Sequence, residues 1–134
     1  MEETLNLGKE LAIYTKSPKI IFLIGDLGSG KTTFSKGFIS EKTKEPLNQI
    51  TSPTFNYVNV YGQGLTQVAH FDLYRLKSED DFYQLGLEEI MLNTPYSLIE
   101  WPEIIGYTSS NALILKFSTI EQQRKIDLIG GSFE

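Results

Sequence analysis

Residues 25–32 read Gly-Asp-Leu-Gly-Ser-Gly-Lys-Thr, directly after the apolar run Lys19-Ile-Ile-Phe-Leu-Ile24. This junction constrains the fold more than any other part of the chain. The spacing G-x-x-x-x-G-K-[ST] needs glycines, because the backbone must take positive φ and bring its amides close to an anion where a Cβ would clash. Such amides form an anion-holding nest, and a helix starting just after them adds a partial charge of roughly +0.5 at its N-terminus. Lys31 then reaches the β- and γ-phosphates of a nucleotide as a point charge, and Thr32 offers its hydroxyl to Mg²⁺. An apolar run without alternation suits a strand covered on both faces, as in a parallel sheet. A buried strand, a phosphate loop and a helix from about Lys31 to Lys42, with Phe34, Phe38 and Ile39 on one side, therefore predict an α/β domain.

The rest of the chain fits that frame. Leu7, Leu11 and Tyr14 are spaced for a short amphipathic helix over Leu5–Tyr14, ended by Ser17-Pro18. Asn48–Phe55 reads as loop. Phe55–Tyr61 and Thr66–Tyr74 read as two strands joined through Gly62-Gln63-Gly64, a connection of hairpin length. Ser78 and the acidic residues Glu79, Asp80 and Asp81 open a helix that runs to Leu92, against which Gly86 counts. Tyr96–Glu100 reads as a short strand, and Ala112–Phe117 with Arg124–Ile129 as a terminal antiparallel pair. The expected fold class is α/β: a mixed sheet flanked by helices, in one small domain over residues 1–134.

Composition removes whole classes of function. The 134 residues include no Cys and one His, which excludes disulfide frameworks, iron–sulfur clusters, thiol catalysis and multi-His metal sites. Twelve basic against 17 acidic residues give a net charge of −5, the wrong sign for a stand-alone nucleic-acid binder. No apolar run approaches the roughly 20 residues of a membrane span, and the first residues are acidic where a signal peptide is basic. A cytoplasmic protein is expected.

A phosphate cradle calls for a carboxylate at the end of a neighbouring strand. Glu100, closing Leu98-Ile99-Glu100, is the candidate for binding Mg²⁺ directly or through water; an exposed strand-end acid is the plainer alternative. Period two along Thr66–Tyr74 puts His70, Asp72 and Tyr74 on one face and Phe71 and Leu73 on the other. That polar face suits either chemistry or solvent. Thr54, in Ser52-Pro53-Thr54-Phe55, lies far enough downstream of Lys31 for its hydroxyl or amide to return to a γ-phosphate. Trp101, the only Trp, sits beside Glu100. Asp127-Leu-Ile-Gly130 mimics the DxxG of GTPases, but no NKxD segment accompanies it, and the match is a coincidence.

Together GDLGSGKTTF (25–34), SPTF (52–55), HFDLYRL (70–76) and IEWPE (99–103) resemble the bacterial TsaE/YjeE family of small P-loop ATPases, along essentially the whole chain. That family is needed for making threonylcarbamoyladenosine beside the anticodon of tRNAs, without making the modification itself. The resemblance implies that Gly25, Asp26, Leu27, Gly28, Ser29, Gly30, Lys31, Thr32 and Thr33 bind ATP phosphates, and that Thr32 and Glu100 hold Mg²⁺. It implies that Thr54 belongs to a switch-like loop, that Asp72 positions water or metal, and that Trp101 lies near the nucleotide. Lys31, Asp72 and Glu100 are then the catalytic candidates. It further implies TsaD and TsaB as partners, with ATP hydrolysis resetting their complex and tRNA met only indirectly. The rival readings are a small-molecule kinase and a nucleotide-gated binding module. Kinases of that kind close an Arg-bearing lid, whereas Arg75 and Arg124 are the only arginines here; either could make a salt bridge or a phosphate contact, and structural pairing is the expected role of each.

Overall fold

The structure is a computed structural model that describes residues 2–106 and 112–131. Lys19–Ile24 forms β1, with Ile21, Phe22 and Leu23 buried on both sides of the sheet. It is flanked by parallel β4 (Tyr96–Glu100) and parallel β5 (Leu113–Ile120). Beyond β4 lie parallel β3 (Val68–Asp72) and antiparallel β2 (Val58–Tyr61); beyond β5 lies antiparallel β6 (Gln123–Gly130). The six-stranded order is β2-β3-β4-β1-β5-β6. The chain is thus the mixed α/β sheet that its apolar runs predict.

Alternation sorts the core into two layers. Ile21, Leu23, Val68, Leu98 and Leu115 meet α1 (Glu2–Tyr14) and α2 (Lys31–Thr43) through Leu11, Phe34 and Phe38. Phe22, Ala69, Phe71 and Ile99 face the other way, towards Phe82 of α3 (Glu79–Gln84) and Leu87 of α4 (Leu87–Asn93). His70 and Glu100 share parity with the first set, so both point to the side from which α2 starts.

Several boundaries differ from expectation for local reasons. α1 begins at Glu2, its first turn carrying Glu2 and Glu3 where the helix dipole favours acids. β2 starts only at Val58, because Tyr57 has φ 67°, outside strand geometry. β3 stops at Asp72, whose Oδ1 accepts the Tyr74 amide at 3.0 Å and bends the chain. The helix expected over Ser78–Leu92 breaks at Gly86 (φ 76°) into α3 and α4, while Ser78 caps its start by accepting the Asp81 amide at 3.3 Å. The terminal pair is longer than expected and closes through Glu121 and Gln122, both at positive φ as a two-residue type I′ hairpin requires.

Candidate functional site

The loop between β1 and α2 turns back over the start of the helix. Gly30 sits at φ 105° with the stem of Arg124 and the Thr4 methyl against it; a Cβ there would lie 3.2 Å from Thr4 Cγ2 and 3.3 Å from Arg124 Cδ. As the residue preceding α2 it has no side chain with which to cap it. The first-turn amides are accordingly offered to whatever anion enters the cradle.

A cleft of about 860 Å³ opens over this loop, lined by Leu27, Gly28, Gly30, Lys31, Thr32 and Thr33. Opposite them stand Thr54, Asp72, Glu100 and Trp101. Four segments read separately in the sequence therefore meet in one cleft. Gly25, Asp26 and Ser29 belong to the loop but do not line the cleft. The Gly25 carbonyl accepts a hydrogen bond from Lys31 Nζ, and Ser29 Oγ is buried without a hydrogen-bond partner among the described residues. Thr54 is exposed on the far wall.

The polar centre is small and closely coupled. Glu100 is 2% exposed at the end of β4, so the exposed strand-end alternative does not hold. Thr32 Oγ1 lies 3.2 Å from its Oε1 and 3.3 Å from its Oε2. His70 Nε2 lies 2.6 Å from Glu100 Oε2. Of the polar face expected on β3, His70 is fully buried, Asp72 half-buried and Tyr74, just past the strand, exposed. Strand register places Asp72 directly beside Glu100. Burial pushes the Asp72 carboxyl above its ordinary range; the Tyr74 amide pulls it down, the Glu100 charge adds to the rise, and His70 and Lys31 oppose it.

Lys31 is buried, and this burial lowers its pKa against the attraction of Glu100, Glu103, Asp72 and Asp26. Its Nζ also stands 3.7 Å from the centre of the Trp101 ring. Trp101 reaches it because the backbone there adopts φ 59°, ψ 51°, uncommon for a bulky residue, and turns sharply out of β4. Tyr74 packs on the same ring at 4.9 Å.

Hydroxyl and carboxylate oxygens are the donors that Mg²⁺ prefers. No group of three or more His, Asp or Glu among the described residues makes a metal cage. The Thr32–Glu100 pair fits an ion that brings phosphate ligands with it.

Both arginines also line the cleft, contrary to the pairing expected of them, and neither forms an ion pair among the described residues. Arg124 Nη2 approaches the Gly28 carbonyl at 3.5 Å, and the Arg75 guanidinium lies 5.9 Å from the centre of the Phe55 ring. Their rarity was the available signal. Their position depends on the hairpin and on the turn after β3, which local pattern does not reveal.

The phosphate loop on β1, the parallel neighbours and the carboxylate closing β4 define a P-loop α/β domain. Comparison with known proteins narrows this class. The family model described as "Threonylcarbamoyl adenosine biosynthesis protein TsaE" matches residues 1–126, and the chain belongs to the TsaE family. A tRNA threonylcarbamoyladenosine biosynthesis protein TsaE of Rickettsia felis is 41% identical over 126 residues, covering 93% of this chain and 72% of the relative. That of Bacillus subtilis is 38% identical, covering 78% of this chain and 63% of the relative. The crystal structure of Bacillus subtilis YdiB superposes with a TM-score of 0.68 at 30% identity, covering 93% of this chain and 76% of that one. No helix among the described residues is long and apolar enough to cross a membrane.

Proposed function

We propose that the chain binds and hydrolyses Mg-ATP in the cytoplasm and uses that cycle to support turnover of a TsaD–TsaB transferase complex that modifies tRNA. The observation that carries this reading is the Thr32–Glu100 contact at 3.2 Å beside the Lys31 cradle. Gly28, Gly30 and the first turn of α2 would hold the phosphates, with Lys31 as their point charge. Thr32 and Glu100 would hold Mg²⁺, which when bound neutralises charge on the transferred phosphoryl group. Asp72, beside Glu100 and held by the Tyr74 amide, would orient water, and Thr54 would order around the γ-phosphate. The net charge of −5 supports a division in which the partners hold the tRNA.

A second reading, a small-molecule kinase, draws support from the two arginines lining the cleft. One experiment separates the two. Copurification with TsaD and TsaB, and ATP turnover that accelerates when they are added, are expected. Failure to bind them, with a rate that instead rises with a small hydroxylic acceptor, would overturn the coupling role in favour of the kinase.

A further inference from the structure

The single His of the chain lies in the sheet interior, yet its one polar contact among the described residues points at the site. His70 is fully buried on β3, and Glu100, thirty residues later on β4, is nearly so. Their strands pair in parallel with His70 opposite Leu98, which sets the imidazole diagonally below the Glu100 carboxylate. Nε2 meets Glu100 Oε2 at 2.6 Å, while Nδ1 is buried with no hydrogen-bond partner among the described residues. A hydrogen on Nδ1 would be a buried, unpaired donor, the costly case, whereas a bare lone pair there is less so. A carboxylate oxygen only accepts, so in this contact Nε2 is the donor to Oε2.

That bond chooses between two otherwise equivalent oxygens. Thr32 Oγ1 stands almost equally far from both, at 3.2 and 3.3 Å, and does not discriminate. With Oε2 held by the imidazole, Oε1 retains its accepting capacity on the side of Thr32. We propose that His70 is a positioning residue: it fixes the rotation of the Glu100 carboxylate, so that the chain presents a preset oxygen pair, Thr32 Oγ1 and Glu100 Oε1, to a divalent cation. This deepens the proposed function, since it rests on Glu100 facing the metal of a bound nucleotide. Carboxylate–histidine coupling elsewhere tunes metal sites through the partner that does not touch the metal, and its loss costs roughly ten- to a hundredfold in metal affinity.

The test uses the full chain and two substitutions. His70→Leu keeps bulk and removes the donor; His70→Gln places an amide N–H the same number of bonds from the backbone as Nε2. ATP affinity is measured by calorimetry in EDTA and across a Mg²⁺ series. His70→Leu is expected to bind metal-free ATP like the unsubstituted chain but to need roughly ten- to a hundredfold more Mg²⁺, and His70→Gln to recover most of the difference. Equal Mg²⁺ dependence in all three proteins would overturn the proposal and leave the nucleotide site standing. Absence of any Mg²⁺-dependent ATP binding in the unsubstituted chain would remove the proposed function as well. Should His70→Leu not fold, ¹⁵N spectra of the single imidazole in the unsubstituted chain decide: a hydrogen on Nε2 is expected, and a hydrogen on Nδ1 overturns the assignment.

Discussion

Lys31 is pulled two ways, and the balance is measurable. Its ammonium faces four carboxylates but is buried, and burial prevails, so its pKa falls below the ordinary 10.5. A triphosphate favours the protonated form, so binding takes up a proton once the pH approaches that lowered value. ATP affinity should decline as pH rises through that lowered value, earlier than an ordinary lysine would dictate, and Lys31→Arg should flatten the decline; calorimetry across pH checks both. Asp72 shows the opposite sign. Its carboxyl is raised above 3.8 chiefly by burial, so the folded chain holds that proton more tightly than the unfolded chain. The resulting cost is absent in acid, sets in as pH rises through the ordinary carboxylate value and is complete above the raised one. Asp72→Asn should therefore raise the melting temperature at neutral pH, with the gain vanishing towards pH 3, while turnover falls. Lys31 and Thr32 were legible from spacing alone. The burial that perturbs Lys31 and Asp72 was not, because it comes from elements distant in sequence.

The close pairing of α1 with α2 sets the pitch of the helix that carries Lys31 and Thr32. Gly8 and Gly37 face each other's helices so closely that a Cβ on Gly8 would fall 2.1 Å from the Phe34 carbonyl oxygen, and one on Gly37 2.1 Å from that of Leu5. Both contacts are backbone, which does not rotate aside. Gly37→Ala should cost about 1–3 kcal/mol as the helices separate, and the displaced N-terminus of α2 should weaken ATP binding as well. Urea unfolding and calorimetry on the same protein measure the two effects. Amphipathic spacing located α1 and α2 in the sequence, but their approach was not visible there, since a helical glycine looks the same whether it faces solvent or another backbone. Gly86 is the converse case. It counted against a continuous helix, and its φ of 76° is what divides α3 from α4.

Across the whole molecule, strand order decides what the cradle can do. Placing β4 beside β1, and β3 beside β4, lines up Glu100 and Asp72 along one rim, while β5 and β6 bring Arg124 to the other side of the loop. A ligand bridging both sides should stabilise the native state as a unit. Mg-ATP at a hundred times its Kd should add about 2.7 kcal/mol and raise the melting temperature, and Glu100→Ala should remove most of the Mg²⁺-dependent part; a thermal shift series with and without Mg²⁺ reads this directly. The sequence by itself determined the phosphate loop, the strand before it and the helix after it, because nest, buried strand and helix start are local properties of consecutive residues. Only the tertiary structure decided that His70 grips Glu100, that Lys31 lies under Trp101 and that both arginines face the cleft. Those contacts join residues tens of positions apart, and their existence depends on which strands lie side by side, a choice made by burying two apolar faces together and recorded in no single stretch of chain.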